Sequence, residues 1–292
     1  MSRRDVSDVL AFRGSRFAAA VLAVAGAALL IGCPPAPRSR EVFDPLPLAQ
    51  AVELINAPPA RLTGLLRATG DVRAKVRSAT SDRIKQYDLE GVLLFVAPDH
   101  LHFDLRHELA GEQLSVGSNG VYYWYDDDPD YAPICRRYDE FPDGYDPDLP
   151  IQPRQLVEAL GLSGVPFGPD AHPLDHPVQR VEDAEQQLLL LAYDAAGAPR
   201  LVKEYWISRV DRRVLHRIVF RDAMGRVEMA SRLSDHRSPQ SGLPSLPHRI
   251  DIVWPKDGSS LEFRIRRWEH RPELGRDLPA FTPPIFRDAA EN

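Results

Sequence analysis

From about Leu65 to Trp268 the chain is a succession of short β-rich runs joined by turn signals, interrupted by little that could cross back over a sheet as a helix. Leu101, Phe103 and Leu105 alternate with His102, Asp104 and Arg106, which gives a strand one apolar and one polar face. Comparable runs occupy residues 65–76, 87–96, 113–117, 121–125, 187–193, 202–209, 214–222, 226–233, 248–254 and 261–268, with a short one at 134–138. Ser118-Asn119-Gly120 separates two of them, and Asn-Gly between β-rich runs is a strong hairpin signal. Asp211-Arg212, Met224-Gly225 and Asp257-Gly258 mark further tight turns. Consecutive strands without crossovers pair antiparallel. The expectation is a mainly β fold, a large curled antiparallel sheet or unclosed β-barrel of about ten or eleven strands, because a sheet that wide does not stay flat.

Two short helices interrupt the pattern. Leu48, Val52 and Ile55 fall on one helical face; Asp44-Pro45 or Leu46-Pro47 starts that helix and Pro58-Pro59 is predicted to stop it. Pro153 opens a second, over residues 154–160, which Gly161 closes. Acidic, proline-containing loops (126–130 and 141–150) precede it and a Gly- and Pro-rich loop (163–177) follows. Because this helix separates two blocks of strands it cannot sit in the ladder. Its apolar residues Leu156, Val157 and Leu160 are expected to face the concave side of the sheet as a lid.

The segments GVLLFVAPDHLHFDL and LSVGSNGVYYWYDDD, then EYWISRVDRRVLHRIVFRDAMGRV, LPHRIDIVWP and SLEFRIRRWE, follow one another in order. Over roughly Leu48 to Phe286 this order of strands and turns resembles the LolA/LolB-like superfamily of periplasmic lipoprotein-handling proteins. The resemblance implies an unclosed barrel, apolar inside, with helices as a lid over a cavity that takes lipoprotein acyl chains. Gly242-Leu243-Pro244 is the one stretch that could stand for the acceptor's exposed apolar loop, and it reads more readily as an ordinary turn.

The N-terminus carries a separate message. Arg3, Arg4, Arg13 and Arg16 precede the apolar run FAAAVLAVAGAALLI, the pattern of a secretory signal. That run has 15 residues, short of the roughly 20 of a spanning helix. It ends in Leu30-Ile31-Gly32-Cys33, which resembles the bacterial lipobox: Leu30, Ile31 and Gly32 would be read by the signal peptidase, and the Cys33 thiol would take the diacylglycerol. Residues 1–32 are thus expected to be a signal peptide, 33–47 a lipidated cysteine with a Pro-rich tether, and 48–292 one half-barrel domain. Pro34 is not the aspartate that the resemblance associates with inner-membrane retention, which favours the outer membrane, with the protein facing the periplasm.

Charge and cysteine count narrow the function further. Cleavage would remove four of the 36 basic and two of the 42 acidic residues, leaving a net charge of −8. Nucleic-acid binding needs a basic footprint and is excluded; contact with the membrane falls to the acyl anchor. With Cys33 acylated, Cys135 has no partner for an internal disulfide. Arg136 and Arg137 beside it favour a lowered thiol pKa, whereas a cysteine at the core edge is inert.

No cofactor or metal is expected beyond the covalent lipid on Cys33. His107-Glu108 begins like a zinc-protease motif, but Gly111 stands where the second histidine belongs. His100 and His102 share a strand face without an identifiable third ligand. The sequence holds no G-x-S-x-G elbow, phosphate loop or S-x-x-K, so an enzyme is not expected. Two readings stand: an anchored protein that shelters acyl chains of lipid or of another lipoprotein, or an envelope scaffold with the same fold and no ligand. Either requires the anchor. Cys33→Ser is expected to leave a precursor neither acylated nor cut after Gly32, which intact-mass analysis of the membrane fraction reads directly; a normally acylated, normally cut variant counts against the assignment.

Overall fold

The computed structural model describes residues 41–77, 84–107, 111–126, 133–141, 146, 149, 151–168, 176–194, 196–210, 212–239 and 243–284. Leu30, Ile31, Gly32 and Cys33 lie outside the described residues, as do residues 127–130 of the acidic run and Gly242.

Among the described residues, thirteen strands form one antiparallel sheet. They are β1 (Leu65–Arg77), β2 (Ile84–Val96), β3 (His100–His107), β4 (Gly111–Asn119), β5 (Tyr122–Asp126) and β6 (Ile134–Arg137), then β7 (Val178–Val181), β8 (Glu185–Tyr193), β9 (Pro199–Ser208), β10 (Val214–Arg221), β11 (Val227–Arg237), β12 (Leu246–Trp254) and β13 (Ser259–Arg271). Their spatial order is β6-β5-β4-β3-β2-β1-β13-β12-β11-β10-β9-β8-β7. Two meanders therefore meet where the first strand pairs with the last, and β6 and β7 end the sheet without pairing with each other. The expected class holds and the strand count rises. The strand with no counterpart in the sequence reading is β7, four residues at an edge, too short to display an alternation.

Period-two patterning decides which face is buried. Leu66, Phe95 and Leu101 lie side by side on β1, β2 and β3, and Ala68, Leu93, Phe103 and Val116 continue the next row into β4. These inner-face side chains are at most 2% exposed and share one core with Ile218, Ile250, Ile252 and Phe263 of the other meander. A core common to both halves is what a curled sheet produces. At its centre Gly70 of β1 faces Gly91 of β2. The register between β1 and β13 slips at Thr69/Gly70, and a Cβ on Gly70 would lie 2.1 Å from the Arg264 carbonyl oxygen. A bulge with glycine lets two backbones approach and the strands coil. Over Gly91 the rings of Phe103 and Phe263 pack 5.4 Å apart.

Turn chemistry follows the sequence. Gly120 has φ +82°, and the Asn119 Oδ1 accepts hydrogen bonds from the backbone N–H groups of Val121 (3.1 Å) and Tyr122 (2.8 Å). Gly225 and Gly258 also take positive φ.

The inner face is covered by two helices, α1 (Leu48–Ala60) and α2 (Pro153–Ala159). Ala51, Val52 and Ile55 are the buried residues of α1. Pro58 and Pro59 do not stop that helix. They lie inside its last turn, where the N–H groups of Arg61 and Leu62 donate to their carbonyls at 3.2 Å. A proline removes only its own N–H, and at the end of a helix held by buried side chains that loss is tolerated. Asn56 exchanges two hydrogen bonds with Val165, at 2.9 and 2.7 Å, which ties α1 to the segment after α2. Gln186, fully buried on β8, does the same with the backbone of Leu46. No described helix is long and apolar enough to cross a membrane.

The crowding at Gly70 is backbone against backbone, so no side-chain rotation relieves it. Gly70→Ala is expected to destabilise the protein by about 2 kcal/mol or more, whereas Gly275→Ala, with nothing within 4 Å of the new atom, should change stability by less than about 0.5 kcal/mol. Urea unfolding followed by far-UV circular dichroism compares the two.

Candidate functional site

The site is the inner face where α2 bridges the two halves of the sheet. Beneath the C-terminal end of α2 run two cross-strand rows, Tyr205–Ile218–Ser231–Ile252 and Lys203–Phe220–Met229. Leu156, Val157 and Leu160 are buried, 2%, 4% and 1% exposed, in the same core cluster as Leu188, Tyr205, Ile218 and Leu233. The helix is seven residues long, below the length at which an isolated helix is stable. Its form rests on Pro153 at the first turn and on its burial. Gly161, φ +73°, turns the chain away, and a Cβ there would meet Leu233 at 2.9 Å.

Polar contacts hold each end. On the N-terminal side the Asp146 carboxylate, 1% exposed, accepts from the Tyr123 hydroxyl (2.9 Å) and from Arg136 (3.1 Å). Gln152, directly before α2, donates to the carbonyls of Asp146 (2.6 Å) and Leu149 (3.2 Å). Arg154 stacks on the Tyr138 ring, 3.7 Å from its centroid. Burial, then the hydrogen bond to Asp146, pushes the Tyr123 phenol well above its ordinary range. At the C-terminal end the Ser231 hydroxyl donates to the Ala159 carbonyl at 2.5 Å, and Glu158 forms an ion pair with Lys203. Burial, with the nearby Glu158 charge adding, raises the Tyr205 phenol as well.

None of Asp146, Glu158 or Lys203 was singled out in the sequence, and Arg136 was noted only as a neighbour of Cys135. Only Lys203 carried a usable signal: it shares strand parity with Tyr205 and Ile207, so the alternation of β9 places it inward. The Leu243 side chain is half-buried against the core and Pro244 is buried, so this part of the turn is not an exposed apolar loop.

The outer face carries the remaining candidates apart. The Nδ1 of His100 lies 2.9 Å from Asp99, and the ring packs edge-on against Phe281. His102 Nε2 lies 2.9 Å from Asp104 instead. Burial works to raise the Asp104 carboxyl, but the hydrogen bonds from His102 and Ser115 and the charges of His102 and Arg106 hold it below its ordinary value. Among the described residues no three His, Cys, Asp or Glu side chains are placed to hold a metal. Cys135 is half-buried on the outer face beside Trp124. Burial, then the charge of Glu140, pushes its thiol pKa up, opposite to the direction its neighbouring arginines favoured. The reason is geometric: Arg136 turns to Asp146 and Arg137 to Asp139.

A groove of about 670 Å³ also crosses the outer face, lined by four arginines and four carboxylates from β1, β2, β3 and β13. Its charges are mutually engaged, as in Arg73–Asp88 (2.8 Å), Arg264–Glu262 (2.7 Å) and Arg266–Glu90 (2.5 Å). Exposed pairs of this kind are screened by water and add little to stability.

Asp146 ties the segment before α2 to the edge strands. Asp146→Ala leaves the Tyr123 hydroxyl and Arg136 without that acceptor, and with Arg136 partly exposed the loss should be about 2 kcal/mol. Limited proteolysis is expected to cleave on the N-terminal side of α2 before the sheet unfolds; a variant as resistant as the parent overturns the anchoring role.

No protein-family model matches the chain, and no curated protein matches it in sequence. Its fold is similar to that of a LolA superfamily protein from Nitrosomonas europaea, with a TM-score of 0.50 and 14% sequence identity over 82% of this chain and 99% of that one. An outer membrane lipoprotein-sorting protein domain from Vibrio parahaemolyticus and a DUF1329 family protein from Desulfovibrio piger match at TM-score 0.46 and 11% identity, each over 78% of this chain and 95% of theirs. The unclosed sheet with two helices on its inner face is thus a fold that this chain shares with that LolA superfamily protein.

Proposed function

We propose that this chain is a lipid-anchored envelope protein, held by acylated Cys33 at the periplasmic side of the outer membrane, whose half-barrel shelters acyl chains of a lipid or of another lipoprotein and performs no catalysis. One observation carries the reading: the apolar inner face is covered by short helices instead of a second sheet, and α2 is a seven-residue segment between long connections. A cover of that size leaves as a unit.

The magnitudes are compatible. Three side chains released from burial lose about 1.5–3 kcal/mol each. An entering chain regains about 0.8 kcal/mol per buried CH₂, so about six to eleven methylenes offset the loss of those three side chains' burial. Displacement of α2 then exchanges one apolar contact for another at small net cost.

The second reading, a scaffold with no ligand, is favoured by the close packing of Leu156, Val157 and Leu160 within a filled core. Native mass spectrometry of protein extracted from membranes separates the two, because a carrier retains non-covalent lipid. Leu156→Asp combined with Leu160→Asp is expected to reduce that retention and the displacement of a fluorescent fatty acid, with the strand signal in circular dichroism unchanged. Undiminished binding by the folded double variant would overturn the role of α2.

A further inference from the structure

Lys203 stands out on the inner face. In the two rows beneath α2 it is the one charged side chain, set between Leu190 of β8 and Phe220 of β10. Its ammonium lies 5.1 Å from the centre of the Phe220 ring, and the side chain is 19% exposed. Its carboxylate partner, Glu158, belongs to α2 rather than to the sheet. When α2 moves off, Glu158 leaves with it, and the ammonium stays on an apolar wall. A charge in such a place is stable only when paired. The Phe220 face attracts the cation but supplies no hydrogen-bond acceptor.

We propose that the inner face selects amphiphiles with an anionic head group, a phosphate or a carboxylate, which replaces Glu158 on Lys203 while the acyl chain takes the place of Leu156, Val157 and Leu160. This rests on the carrier reading above and adds to it the class of head group. Glu158 is then a built-in mimic of the ligand: the closed state pairs Lys203 with the carboxylate of α2, and the loaded state with that of the lipid. The exchange keeps one ion pair throughout, so head-group charge decides which chains open the lid. A zwitterionic head group brings its own cation to the same wall and is disfavoured.

The test compares lysophosphatidylglycerol with lysophosphatidylcholine of the same acyl chain, each below its critical micelle concentration, on the full-length protein. The ratio of the two affinities within one variant cancels any effect of the substitution on opening. The parent should prefer the anionic lysolipid about tenfold or more, the scale of one charge-assisted hydrogen bond. Lys203→Gln should bring the ratio to about one, Lys203→Arg should keep it, and Glu158→Gln, which removes the competing carboxylate, should raise anionic affinity. Glycerol phosphate without a chain should fail to displace the lysolipid; efficient displacement would assign Lys203 to free phosphate and overturn the lipid assignment. An unchanged ratio in a folded Lys203→Gln protein overturns the head-group proposal while leaving the carrier reading intact. Binding of neither lysolipid by any variant overturns the carrier reading itself.

Discussion

A sheet that curls without closing has one apolar face it must cover and two edges it cannot pair with each other. Most of this structure follows from that constraint. The inner face needs apolar cover, which α1, α2 and the segment ending at Val165 provide. The cover must be held by groups that do not belong to the ladder, because α2 and α1 make no strand pairing. Hence the buried polar ties: Asn56 to Val165, Gln186 to Leu46, and Asp146 to Tyr123 and Arg136. Each satisfies groups that burial would otherwise leave unpaired.

The ties differ in kind from the core. Apolar packing is non-directional and allows one oily surface to replace another, whereas the ion pair at Lys203 and the hydrogen bond at Ser231 specify where α2 sits. The helix is thus positioned by polar contacts and stabilised by apolar ones.

The outer face obeys another rule. Its arginines and carboxylates alternate across neighbouring strands, as in Arg249–Glu262 and Arg67–Glu269, so that polar residues meet water and each other. Such a ladder keeps the outer side of an open sheet soluble. One exception is the region under Phe281, where Leu65 and Val96 are covered by the turn at Pro279–Phe281.

Alternation is a local property, and the fold class was legible because nearly every strand carries it. The hairpin at Asn119-Gly120 and the helix start at Pro153 were legible for the same reason: φ preference and hydrogen-bonding capacity belong to single residues. The strand β7 was invisible, being four residues at an edge where neither face is buried enough to impose a pattern. The proline pair in α1 misled because its local penalty is outweighed by burial of Val52 and Ile55. What no local rule reaches is pairing at a distance. That Asp146 meets Tyr123, that Glu158 meets Lys203 across 45 residues, and that the Cys135 thiol answers to burial rather than to its own neighbours all depend on how the sheet curls. Strand parity places Lys203 on the inner wall; the curl that carries α2 across that wall gives it a partner.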